Sequence, residues 1–99
     1  MSDRSKWSDL RDRRMAEPGA VEEYEATRLA YELGKAVREL REQHGLSQTR
    51  LAQAAGMTQS EDARFEAGGT VPTLPVLERL AKALGEELDV RFRSKSAAA

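Results

Sequence analysis

The chain has 99 residues, 39% of them hydrophobic and 33% charged, with a formal net charge of −1, a length that suits one small domain with an appended arm. It has no cysteine and a single histidine, His44, which excludes disulfides, thiolate metal sites and any paired-histidine metal or catalytic centre. No apolar run approaches the roughly 18 residues of a membrane span and no signal-peptide pattern opens the chain, so a cytoplasmic protein with no membrane contact, no cofactor, no metal and no enzymatic activity is expected.

The near-neutral total conceals a division. Residues 3–14 hold five basic and three acidic side chains, whereas residues 17–32 hold five glutamates against Arg28 alone. Such an acidic run is ordinarily a solvated helix face, and it is also the complement of a basic partner.

The first element is a short helix over Lys6–Met15, where Trp7 and Leu10 make a thin apolar stripe, and Pro18-Gly19 interrupts it. A long helix is expected from Val21 to His44. Its small or apolar positions Ala26, Ala30, Leu33, Val37 and Leu40 are spaced four, three, four and three apart, the period of one buried stripe. Gly45 supplies a left-handed stop, and Gly34 inside the helix reads as a bend. Ser47 then caps a helix over Gln48–Ala55 that Gly56 ends. Thr58 caps Gln59–Ala67, with Glu61 completing a Thr-x-x-Glu capping box, and Gly68-Gly69 closes it. Thr73 caps Leu74–Leu84, with Pro75 tolerated in its first turn and Gly85 as the stop. Leu88, Val90 and Phe92 alternate with Asp89 and Arg91 as a strand, and residues 94–99 are too small and polar to pack.

Gln48 to Ala67 is the most informative stretch. Two short helices that cross steeply need a small residue at the crossing, here Ala52, and a residue tolerant of positive φ in the turn, here Gly56. Leu51, Ala55, Met57 and Phe65 supply the inward apolar side chains. With Leu46-Ser47-Gln48 and Arg64-Phe65-Glu66 on its flanks, the stretch resembles the Cro/cI-type (Xre-like) helix-turn-helix family over about Leu33 to Leu84. The resemblance implies an all-α fold, a lambda-repressor-like five-helix DNA-binding domain, here with an N-terminal helical arm and a short C-terminal β-strand. It implies that Gln48 meets a DNA phosphate, and that the reading helix presents Thr58, Gln59, Ser60, Glu61 and Arg64 to the major groove of double-stranded operator DNA, where glutamine suits adenine and arginine guanine. It also implies a structural salt bridge between Arg41 and Glu66. As bare sequence, Gln59, Ser60 and Arg64 are equally an ordinary exposed helix face.

One position contradicts the family. At 100° per residue, residue 62 points inward between Phe65 and Glu66, where the family carries valine or isoleucine, and here it is Asp62. An unpaired buried carboxylate costs on the order of 3–5 kcal/mol, so Asp62 must find an arginine, keep its proton or turn outward. With Glu61 beside it, the expectation is weakened DNA binding, restored by Glu61→Ala with Asp62→Val.

A looser resemblance concerns the layout. A Trp-bearing arm, a proline, an acidic Tyr-bearing helix, Gly-Gly-Thr-Val-Pro-Thr-Leu and a final Leu-x-Val-x-Phe are similar to the HigA-type antitoxins of toxin–antitoxin modules. That implies a dimer that represses its own operon and neutralises a cognate basic RNase toxin. Trp7, Leu10, Tyr24 and Tyr31 are the expected toxin contacts, since aromatic anchors on an acidic face suit a basic partner, although the tyrosines could equally pack on the chain's own helices. A lone strand needs a partner, so Leu88, Val90 and Phe92 are expected to pair in a homodimer. The implied organisation is a toxin-binding arm with the start of the long helix at 1–32, the helix-turn-helix domain at 33–85, a dimerisation strand at 86–93 and a disordered tail at 94–99. The alternative is a plain Xre-like repressor without a toxin partner, its arm touching DNA through Arg11, Arg13 and Arg14; a protein-only inhibitor that has lost DNA binding is a third.

Overall fold

A computed structural model describes residues 19–95. Among them are four helices: α1 (Ala20–Gln43), α2 (Gln48–Ala55), α3 (Gln59–Glu66) and α4 (Leu74–Ala83). The expected short helix at Lys6–Met15, with Trp7, Leu10, Arg11, Arg13 and Arg14, lies outside the described residues, as do residues 96–99.

The punctuation works largely as the side chains dictate. Gly45, Gly56 and Gly85 all take left-handed φ angles between 68° and 70°, which free each helix end from a Cβ clash and let the chain turn back. Ser47 Oγ accepts the Arg50 N–H at 3.1 Å. Thr73 is the exception: it occupies the N-cap position of α4 in extended backbone, but its side chain makes no capping bond.

The helices close on one core of Val37, Leu51, Ala55, Phe65, Leu77, Leu80 and Leu84, with Leu33, Leu40, Leu46, Met57, Val76 and Leu88 half-buried against it. Ala52, at the α2–α3 crossing, is also buried. Only the second half of α1 joins this core. Its apolar stripe continues through Ala30 to Ala26, but Ala30 is half-buried and Ala26 exposed, because no other described helix reaches that far. Val21, Tyr24, Leu29 and Tyr31 are exposed on the same projecting half. Arg28 ties it together locally, 2.8 Å from Glu25 and 3.0 Å from Glu32, contacts of small energetic weight on an open surface.

Gly34 corrects the expected bend. α1 runs unbroken through it, and a Cβ built there would collide with the Phe65 carbonyl oxygen and lie 3.2 Å from the Glu66 carbonyl carbon. The missing side chain is a docking surface for the backbone of α3. The expected C-terminal strand is a second correction. Residues 86–95 form no strand, since a strand is held by hydrogen bonds to a neighbour and the described residues present none. Leu88 folds back onto the core, while Val90 and Phe92 are exposed.

Alanine at an ordinary exposed helix glycine stabilises by about 0.5–1 kcal/mol. Gly34→Ala should instead destabilise by about 1–3 kcal/mol, the range for overpacking, because its methyl group meets backbone that cannot rotate away. Urea unfolding of the two proteins, followed by far-UV circular dichroism, measures the sign directly.

Candidate nucleic-acid interface

The α2–α3 unit is built by its caps. Thr58 Oγ1 accepts the Glu61 N–H at 3.1 Å while Glu61 Oε1 accepts the Thr58 N–H at 2.7 Å, the reciprocal capping box. The Thr58 backbone N–H first, and then its side chain, hold the Glu61 carboxyl below its usual range. Glu61 is therefore a helix-starting residue that leaves a negative charge on the exposed side. Arg79, which the sequence did not single out, reaches from α4 so that its Nε donates to the Ala55 carbonyl at 2.7 Å. It satisfies an orphan carbonyl at the end of α2 beside Gly56. Its signal was a basic residue near a glycine-stopped helix end, but only the packing says which helix.

Arg41 Nε donates to both Glu66 oxygens, at 2.9 and 3.1 Å, and its Nη1 donates to the Leu46 carbonyl at 2.8 Å. Glu66 is almost fully buried, so this is a largely desolvated pair, with one N–H shared between both carboxylate oxygens, that locks the end of α1 to the end of α3. Gln48 Nε2 also donates to Glu66, at 3.4 Å, and Gln59 Nε2 donates to Gln48 Oε1 at 2.8 Å. The two glutamines expected separately, one for a phosphate and one for a base, are thus joined. Of the expected DNA contacts, Gln59 is joined to Gln48 and Thr58 to Glu61, while Ser60 and Arg64 lie one turn apart on α3; all are exposed except the half-buried Gln48. Tyr24 stands apart on the projecting half of α1. Tyr31 lies against the turn after α3: a Cβ on Gly68 would sit 3.0 Å from its Cα and 3.2 Å from its ring. That contact steadies α1 on the domain even though more than half of Tyr31 is exposed. Trp7 and Leu10 lie outside the described residues.

Asp62 neither turns outward nor finds an arginine. It is 0% exposed, and no donor reaches either carboxyl oxygen. Burial, followed by the neighbouring Glu66 carboxyl, pushes its pKa up to about 8, against a smaller opposing pull from Arg41. Burial pushes Glu66 up as well, but its hydrogen bonds with Asp62, Arg41 and Gln48 and the Arg41 charge outweigh it and hold that carboxyl below its ordinary range. At neutral pH the pair therefore carries one proton, on Asp62, and one charge, on Glu66 facing Arg41.

Residues 32–92, more than half of the chain, match the helix-turn-helix domain family. The chain belongs to that family. As a helix-turn-helix protein it is of the DNA-binding, transcription-regulating kind. No curated protein matches this helix-turn-helix chain significantly. Among its described residues no helix is long and apolar enough to cross a membrane.

The carboxyl pair sets a pH profile. The Asp62 value in the folded state lies above its unfolded value of 3.8, so unfolding releases a proton between about pH 4 and pH 8. Stability then falls as pH rises through that window, by up to about 1.4 kcal/mol per unit. Glu66 acts oppositely, its contribution being lost as pH falls below its usual range. Thermal melts from pH 5 to pH 8 should show a falling midpoint for the wild type and a much flatter one for Asp62→Leu, which should also be the more stable at pH 8.

Proposed function

We propose that this protein is a repressor that reads operator DNA with α3 in the major groove and acts as a homodimer through residues 88–92. The observation that carries the DNA reading is the exposed side of α3, where Ser60 and Arg64 lie one turn apart and Gln59 is held by Gln48, which the Arg41–Glu66 pair braces. Gln59 suits an adenine and Arg64 a guanine. Homodimerisation is supported by Val90 and Phe92, apolar side chains left exposed on a segment of strand-like alternation, and a palindromic operator needs a two-fold reader. Glu61 places a negative charge at this edge, so binding is weaker than the fold alone permits.

We further infer an antitoxin role, in which the arm over residues 1–32 holds a basic RNase toxin. Its support is the resemblance in layout together with exposed Val21, Tyr24 and Leu29 amid Glu22, Glu23, Glu25 and Glu32 on the projecting half of α1. Apolar anchors within an acidic field are the complement a basic partner requires. A plain repressor lacks such a partner, and its α1 face would tolerate Tyr24→Asp without consequence.

In a salt-controlled titration against the promoter of its own operon, Arg64→Ala should cost about 1–3 kcal/mol and relax the preference at one base pair. Glu61→Gln keeps an acceptor for the Thr58 N–H while removing the charge, and should tighten binding to all duplexes. Indifference of binding to Arg64→Ala would remove α3 as the reader.

If the antitoxin role holds, Tyr24→Asp should abolish inhibition of the small basic RNase encoded beside this gene while leaving the DNA titration unchanged. Inhibition assays on the purified pair check this, and full inhibition by the variant would move the interface elsewhere.

A further inference from the structure

The least explained group in the molecule is the buried carboxyl of Asp62. It lies one helical turn before Glu66, so the two side chains share a face of α3, and both are almost completely withdrawn from water. The nearby cation is already committed: Arg41 gives its Nε to both Glu66 oxygens and its Nη1 to the Leu46 carbonyl. Two helices pack against α3. From α1 comes Arg41 and from α2 only the neutral Gln48, while Glu61 and Arg64 on α3 itself are exposed. One guanidinium therefore faces two carboxyls. A proton on Asp62 satisfies this arrangement, because the neutral acid can donate a hydrogen bond to the Glu66 carboxylate, the only kind of bond open to it there.

We propose that Asp62 is a positioning residue for the reading edge: as a neutral acid it donates to Glu66, and through Glu66, Gln48 and Gln59 it orients the side chain that meets the DNA. Asp62 and Glu66 lie one helical turn apart, and the next two links are hydrogen bonds. Gln48 Nε2 donates to Glu66 Oε1 at 3.4 Å, and Gln59 Nε2 donates to Gln48 Oε1 at 2.8 Å. Ionising Asp62 removes the donor, adds a second buried negative charge and draws Arg41 away from Glu66. The Gln48–Glu66 bond is the longest in the chain and yields first, which releases Gln59. The midpoint near pH 8 sets this change just above neutrality. The role in recognition rests on the reading of α3 as the DNA-contacting helix; the hydrogen-bond chain does not.

The test uses the full-length ¹⁵N-labelled protein, with the side-chain amides of Gln48 and Gln59 followed by NMR from pH 6 to pH 9.5. In the wild type both should titrate together with one midpoint near 8. In Asp62→Asn, whose amide donates at every pH, both should keep their low-pH wild-type positions throughout. In Asp62→Val, which folds without a donor, they should be insensitive to pH but displaced from those positions. Wild-type amides that do not move, or that move identically in Asp62→Asn, overturn the proposal. A second arm measures binding to a labelled promoter duplex and a scrambled duplex at constant ionic strength. Wild-type promoter affinity should fall by up to about tenfold per pH unit above the midpoint, while Asp62→Asn holds its neutral-pH affinity. Specific but pH-flat wild-type binding overturns the positioning role alone. A wild type that never distinguishes the two duplexes overturns the DNA reading, and the role in recognition with it, even where the amides titrate.

Discussion

The close approach of α1 and α3 at Gly34 governs where everything else can sit. With no side chain at that position, the backbone of α1 meets the carbonyls of Phe65 and Glu66 directly. Two turns later on the same face of α1, Arg41 reaches Glu66 and closes the contact with a desolvated ion pair. The first contact sets the distance between the helices and the second sets their register. Because α3 is only eight residues long, fixing its C-terminal end against α1 also fixes which side chains its outer edge presents. Phe65 then drops into the core between α1 and α2, and the capping box at Thr58 determines where α3 begins.

A buried carboxylate inside this contact would seem to work against it, since removing an ion from water without a partner costs several kcal/mol. The cost is avoided by protonation. Asp62 and Glu66 divide their roles according to the charges around them: the residue facing Arg41 is ionised, and the one without a cation is neutral. A branched apolar side chain at residue 62 would fill the same space with no titration at all. The acid makes this short helix sensitive to proton activity in a way its apolar counterpart would not be.

The molecule presents three separate kinds of surface. The edge of α3 offers amide, hydroxyl and guanidinium groups suited to base edges. The projecting half of α1 offers tyrosines and aliphatic side chains among glutamates. The segment after α4 offers the exposed Val90 and Phe92 beyond the core contact at Leu88. These lie on different elements, so a ligand on one need not obstruct the others. Arg28 bridging Glu25 and Glu32 leaves Glu22 and Glu23 at the helix start, where the positive end of the helix dipole favours acidic groups.

Local chemistry alone determined the helix boundaries, because caps and stops act within four residues. Ser47, Thr58, Gly45, Gly56 and Gly85 mark the ends to within a residue or so. Periodicity likewise determined the core-facing side of each helix, and the inward phase of residue 62 followed from 100° per residue. Whether a predicted stripe is actually buried depended on what lies opposite: Leu33 and Val37 join the core, while Ala26 stays exposed, with no described helix opposite it. The meaning of Gly34 was hidden because a glycine's effect depends on what approaches it, and here that was the backbone of a helix some thirty residues away. Arg79 on Ala55, Gln59 on Gln48 and the protonation of Asp62 were equally illegible, since each joins groups brought together only by packing. The alternation at Leu88–Phe92 suggested a strand that residues 86–95 do not form, because a strand is a property of two neighbouring segments and no described segment pairs with this one.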